Sequence, residues 1–289
     1  MEVLNAIFMA IIQAITAIFP TSENGHIDIL NNFANRQQNA ISITTGWIEI
    51  GIAIGIIIAL YKPFFSIFKE LIGTIKELCI NRSKLKHPTK PRKFFYMALI
   101  PLPFTVLWAI PTGKGNNLYG TLSSLNCDNN VFSEGLFFIL TALLLMVLYI
   151  VANKNKSKNI NKGITPMCAV LFGLLLIICV PIGGLSYTVI GMLLLALFGV
   201  NSKISFRYTY VLAVPILIIN GIINICVSVN RQSIIAIIFG VVVSIIITFF
   251  AVKIAKYIYL NNKTDKFSLY NLTLGIIVTI IGIIQFFTK

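Results

Sequence analysis

Long apolar blocks separated by short polar ones make up this chain. A helix needs about 20 predominantly apolar residues to cross the hydrocarbon core of a bilayer. Six blocks meet that length: roughly 43–62, 94–111, 133–152, 207–228, 233–256 and 269–287. Two further regions are apolar but interrupted. Residues 3–33 hold an apolar run, then the break Phe19-Pro20-Thr21-Ser22-Glu23-Asn24-Gly25-His26, then a short apolar piece carrying Asp28. Residues 164–200 repeat the design, with the break Val180-Pro181-Ile182-Gly183-Gly184 between an apolar run and a second short helix. Proline and glycine leave backbone groups unpaired, and lipid cannot satisfy them. Such breaks survive at membrane depth only when buried in protein or lining a wet cavity. Both regions are therefore predicted to be re-entrant helix pairs.

The order along the chain is broken pair, three spans, broken pair, three spans. The predicted fold is an all-α polytopic membrane protein in one integral membrane domain, built as two repeats over 1–152 and 164–289. An odd number of spans separates the broken pairs, so the second repeat is expected to be inverted relative to the first. Charge placement agrees. The segments 62–93, 153–163, 202–207 and 253–266 hold 19 of the 23 Lys and Arg residues. With six spans and both termini outside, all of these fall on the cytoplasmic face, leaving Arg36, Lys114, Arg231 and Lys289 on the other. In the basic loop 62–93, the stretch from Phe64 to Leu78 is amphipathic, as in a helix lying along the inner surface or an ordinary topology-setting loop.

Composition narrows the function classes. The chain is 57% hydrophobic and 11% charged, with a mean hydropathy of +0.89. Soluble domains carry about 25% charged residues, so a water-facing surface is excluded. A net charge of +14 raises the question of nucleic acid, but the cations sit between apolar runs, as membrane orientation requires. No nucleic-acid partner is expected. The first apolar stretch contains Gln13, Thr16 and Pro20 with no small-residue cleavage site after it, unlike a signal peptide. The five cysteines are scattered and lack metal-site spacing.

Candidate chemistry concentrates in the first break. Carrying a charge to the bilayer centre costs about 2.5–3.5 kcal/mol, so Glu23, Asp28 and Glu49, with the titratable His26, need a wet or paired environment. The turn Ser22-Glu23-Asn24-Gly25 also offers backbone N–H groups at the start of a short helix, an anion site in waiting. Capping at the outer interface is the structural alternative for these residues.

The chain resembles the undecaprenyl-diphosphate phosphatases of bacterial membranes, also called bacitracin-resistance proteins. That family opens with E-x-x-x-E-F-x-P-x-S-S-S-G-H, which Phe19, Pro20, Ser22, Gly25 and His26 fit in register. Glu49 and Gly55 in IEIGIAIG, LIPLP at 99–103, YTYVLAVP at 208–215 and FSLYNLTLG at 267–275 are similar to its later segments. The resemblance covers nearly the whole chain. It implies the inverted-repeat fold, a plasma-membrane location and a polyprenyl diphosphate lipid as partner. It also implies catalysis by His26 or Ser22, with Gln13, Glu23, Asn24, Gly25, Gly183, Gly184 and Ser186 around the diphosphate. A divalent metal, Mg or Ca, would sit on Glu23 and Glu49.

The chain departs from that pattern where the chemistry lies. The two motif glutamates fall on Gln13 and Ala17, and the middle of the serine run is Glu23 and Asn24. The second signature, P-G-x-S-R-S-G, falls on 181–187 with Leu185 at the arginine position, and no Lys or Arg occurs between Lys162 and Lys203. Arg207 and Lys203 map to the inner end of a span, far from the break. An Arg at a phosphoryl transition state is worth about 10³–10⁵ in rate, and Gln13 cannot act as a base. Two functions follow. One is hydrolysis of the C55 lipid diphosphate to monophosphate and phosphate, for cell-wall lipid recycling and bacitracin resistance. The other is a catalytically impaired relative that binds or translocates the carrier lipid. An unrelated small-solute transporter is a third class, disfavoured by the length of the resemblance.

Overall fold

The computed structural model describes residues 2–34, 43–80, 88–113, 116–124, 130–228 and 233–288. Arg36, Lys114, Arg231 and Lys289, the four cations expected on the outer face, lie outside the described residues, as do Cys127 and Arg82, Lys84 and Lys86 of the basic loop.

The first broken region forms α1 (Glu2–Ile18) and α2 (Glu23–Phe33). Then come α3 (Ile43–Ala59), α4 (Tyr61–Ile80), α5 (Lys90–Leu99) and α6 (Leu102–Val106), which ends in a 3₁₀ turn at Leu107–Ala109. A two-stranded antiparallel ribbon, β1 (Pro111–Gly113) with β2 (Asn116–Asn117), leads into α7 (Leu118–Ser123). The remainder is helical: α8 (Phe132–Ser157), α9 (Pro166–Cys179), α10 (Tyr187–Leu197), α11 (Ser202–Val227), α12 (Ile234–Leu260) and α13 (Asp265–Thr288).

Four described helices, α8, α11, α12 and α13, are long and apolar enough to cross a membrane, or five if the bent pair α3–α4 counts as one span. Two expected spans take a different form. The 43–62 block ends as a helix at Ala59, and α4 leaves it at 90°. α4 is the amphipathic stretch of the basic loop, with Phe65, Phe68, Ile75 and Leu78 exposed along it. The 94–111 block is not one helix. Pro101 and Pro103 lack the N–H that would continue the ladder, and the chain breaks there into α5, α6 and the 3₁₀ turn.

The exterior is apolar and the contacts between helices are small. Leu140, Leu143 and Ile150 of α8, Ile238, Val242 and Phe250 of α12, and Ile277, Ile280 and Ile284 of α13 face outward. Water would oppose such a surface, whereas lipid accepts it. Inside, α3 packs on α12 so closely that a Cβ on Gly51 would lie 2.0 Å from Ser244 Oγ, and one on Gly55 2.6 Å from Thr248 Cβ. Small residues let backbones approach where no hydrophobic force drives helices together.

An ion network fastens α4 to α5. The Arg92 guanidinium donates from Nε to Glu70 (3.0 Å) and from Nη1 and Nη2 to the two carboxylate oxygens of Glu77 (2.5 and 3.1 Å). Both carboxylates of α4 are thereby engaged by one buried arginine.

Candidate active site

The first break starts where Pro20 stops α1. Its loose carbonyls find side-chain donors: Ile18 O accepts from the Tyr210 hydroxyl, and Pro20 O from Asn271 Nδ2 at 3.1 Å. Asn271 also accepts from Thr21 Oγ1 at 2.9 Å and is fully buried. These bonds are what a break inside a bundle requires, since each unsatisfied group would cost several kcal/mol in hydrocarbon.

Ser22 is the N-cap of α2, and its Oγ accepts from Gly25 N at 3.2 Å. The same Oγ accepts from Gly184 N at 2.9 Å, in the second break. Asn24 Nδ2 donates to Val180 O, the C-cap carbonyl of α9, at 2.9 Å. The two breaks are thus bonded to each other. Glycine is required at the contact: a Cβ on Gly25 would sit 2.5 Å from Gly184 N, and Gly184 has φ +88° with Glu134 O 2.7 Å from where its Cβ would be. Thr141 of α8 donates to Gly184 O at 2.7 Å. On the far side Ser186 caps α10, accepting from Val189 N at 3.4 Å.

His26 lies one turn beyond Ser22. Its Nδ1 is 2.6 Å from Ser22 O, and its Nε2 is 2.7 Å from the Tyr270 hydroxyl. A carbonyl can only accept, so Nδ1 carries the proton; neutral Nε2 then accepts from Tyr270. The ring stacks on Tyr270 and meets Phe138 edge-on at 5.0 Å. His26 therefore contacts the carbonyl of Ser22 and not its hydroxyl.

Beside the joined breaks is a cavity of about 20 Å³, room for roughly one water molecule. Glu23, Asn24, Leu185, Tyr187 and Asn220 are among its walls, and no Lys or Arg is found among the described residues lining it. Several polar atoms here are buried without a hydrogen-bond partner among the described residues: Glu23 Oε1, Tyr187 OH and Asn220 Oδ1. Gln13, fully buried one turn before Thr16 of the cavity wall, has neither side-chain atom paired. Glu49 is buried on α3, where Asn224 Nδ2 donates to both its oxygens at 3.1 Å.

Of the candidate residues from the sequence, Ser22, Glu23, Asn24, Gly25, His26 and Gly184 come together at the joined breaks. Gly183 is buried in the second break, Ser186 caps the helix that follows, and Glu49 enters from α3. Arg207 is turned to a separate cavity with Lys62 and Lys93, as its position in the chain implied. Tyr270, Asn271, Asn220 and Asn224 were not singled out. Asn220 and Asn224 stand four residues apart in an otherwise apolar stretch, and that spacing on one helix face is the signal that marks them.

Two interrupted helix pairs, bonded tip to tip beside buried carboxylates inside a bundle with an apolar exterior, define a polytopic membrane protein with an enclosed polar site. Residues 6–277 match the bacitracin resistance protein BacA family, and the chain belongs to it. It is 27% identical over 191 residues to an undecaprenyl-diphosphatase of Acholeplasma laidlawii, covering 64% of this chain and 65%, just under two thirds, of that protein. It is 24% identical to one of Lachnoclostridium phytofermentans, covering 96% of each. It is 22% identical to one of Alkaliphilus metalliredigens, covering 98% of this chain and all of the other.

Proposed function

We propose that this protein is an undecaprenyl-diphosphate phosphatase, hydrolysing the C55 carrier lipid diphosphate to the monophosphate and phosphate. The observation that carries the reading is the bonded pair of breaks, with His26 beside them and family membership over nearly the whole chain. With Nδ1–H held by the Ser22 carbonyl, the Nε2 lone pair of His26 is the nucleophile once the Tyr270 hydroxyl that it accepts from turns to a phosphoryl oxygen instead. It attacks the terminal phosphorus; an N–P bond forms as the anhydride P–O bond breaks, and the lipid monophosphate leaves. Water then cleaves the N–P bond and releases phosphate. Ser22 has its Oγ engaged by two N–H donors and serves to position the breaks. A diphosphate is larger than the present cavity, so its entry requires the start of α2 and the second break to part, exchanging the Ser22–Gly184 and Asn24–Val180 bonds for bonds from Gly184 N and Asn24 Nδ2 to phosphoryl oxygens.

Glu23 Oε1, Tyr187 OH and Asn220 Oδ1 are unpartnered oxygens of the cavity wall and are the hard kind of donor that suits Mg or Ca, although no group of three or more His, Cys, Asp or Glu comes together among the described residues. Glu23 and Glu49 would hold the ion, which supplies positive charge to the phosphoryl oxygens. The inverted arrangement of 1–152 and 164–289, with re-entrant pairs and both termini outside, is part of the same reading. α1 packs on α12 while α9 packs on α6, the exchange that two related halves would make.

One observation favours the second reading, lipid binding or translocation without hydrolysis. Leu185 stands in the cavity wall where the family resemblance puts an arginine. Phosphate release from C55 lipid diphosphate by the purified protein decides between the two. We expect release that stops on chelation and runs at least about 10²-fold below a relative with the intact motif, given what an arginine supplies to phosphoryl transfer. Binding of the lipid with no phosphate release overturns the phosphatase reading.

A further inference from the structure

A second cavity, of about 840 Å³, opens between the start of α4, the start of α5, the 158–165 connection and the start of α11. Each of these four elements contributes cations to it: Lys62, Lys90 and Lys93, Lys162, and Arg207. No Asp or Glu is found among the described residues lining it. The acids of α4 do not neutralise it, because Glu70 and Glu77 are both engaged by Arg92.

The rim is built rather than loose. Lys162 N donates to Gly199 O at 2.9 Å, and Asn201 N donates to Lys162 O at 3.1 Å, which ties the 158–165 connection to the start of α11. Tyr208 OH donates to Met97 O at 2.7 Å, which ties α11 to α5. Orienting a membrane protein needs cations on one face, but it does not need them to converge on a concavity. The five cations are exposed, so water and salt screen part of their mutual repulsion, and an anion held among them would gain attraction from all of them at once. Phe94, Met97 and Ile204 lie on the same walls and offer an apolar contact beside the charge.

We propose that this cavity is a phosphate-binding site, separate from the joined breaks, that takes a phosphate group carried by a lipid or free in solution. A phosphate monoester carries up to two charges and three acceptor oxygens, which fits several cations converging from different directions better than a single carboxylate does. The site stands whether or not the joined breaks hydrolyse anything.

Calorimetric titration of the purified full-length protein in detergent tests it, at fixed ionic strength, with inorganic phosphate and farnesyl phosphate as probes and farnesol as the uncharged control. Saturable binding of a phosphate probe, but not of farnesol, is expected, and it persists in the Ser22→Ala/His26→Ala variant. Lys93→Gln/Arg207→Gln weakens it by about 10-fold or more. Lys253→Gln/Lys256→Gln, which removes two exposed charges of α12, leaves it unchanged. Size-exclusion profiles check that all three variants stay folded. Equal affinity for both probes identifies free phosphate as the ligand; farnesyl phosphate binding about 10-fold tighter identifies a lipid phosphate. The proposal fails if neither probe saturates, if binding disappears with Ser22 and His26, or if both lysine-bearing variants weaken it equally.

Discussion

At the scale of residues, His26 is held from both sides, and each side predicts a different failure. Removing the ring in His26→Ala should abolish phosphate release while leaving the amount of protein in the membrane near normal. Loss of the protein from the membrane, or full activity, would make His26 a packing residue. Tyr270→Phe keeps the stacked ring but removes the hydroxyl at Nε2. Without that donor the imidazole loses one of its two anchors, and activity should fall by roughly 10-fold, in the range seen when a group orienting a catalytic ligand is removed. Wild-type turnover in Tyr270→Phe would mean that the Ser22 carbonyl alone fixes the ring. The cavity wall invites the opposite experiment. Leu185→Arg combined with Gln13→Glu and Ala17→Glu restores the charges the family resemblance implies, and phosphate release should rise if the surrounding bundle is intact. An unchanged or lower rate would show that Glu23 and Glu49 have already rebuilt the site in another form.

At the scale of elements, the two breaks hold because several of their loose ends have a designated partner among the described residues. Asn271 and Tyr210 take the carbonyls at the end of α1, Asn24 takes the carbonyl at the end of α9, and Ser22 caps α2 while receiving Gly184 N. Gly184 is the tightest point. Alanine there meets both the left-handed φ of +88° and Glu134 O at 2.7 Å. Gly184→Ala should lose at least about 1–2 kcal/mol from backbone strain alone, read as a lower melting temperature in detergent, together with loss of activity. Gly163→Ala, whose Cβ meets nothing within 4 Å, should change neither. Equal melting temperatures for the two variants would mean that the breaks are looser than their hydrogen bonds indicate.

At the scale of the whole molecule, the orientation rests on charge. If the basic face is cytoplasmic, a membrane-impermeant thiol reagent applied to intact cells should label a variant keeping only Cys127 and spare one keeping only Cys79, which is exposed at the end of α4. Labelling of Cys79 reverses the topology. Hydrophobicity and the charge distribution are sums over long stretches, and so the membrane class, the spans at α8, α11, α12 and α13, and both breaks were readable from the chain alone. The amphipathic stretch after the 43–62 block was one of two readings, and the 90° bend into α4 agrees with a helix lying along the surface. The division at Pro101 was not read although Pro101 and Pro103 mark it, because a hydropathy window of about twenty residues weighs apolarity and not the missing N–H groups. Ser22, Glu23, Asn24, Gly25 and His26 stood out because they are adjacent and polar in an apolar setting. Their partners did not: Gly184 and Tyr270 lie 162 and 244 residues from Ser22 and His26 respectively. The sequence by itself determined which segments must leave water and that helices must stop at the two breaks. Only the tertiary structure decided which distant donor satisfies each stopped end, because a hydrogen bond depends on distance and angle, and only packing of the whole bundle sets these.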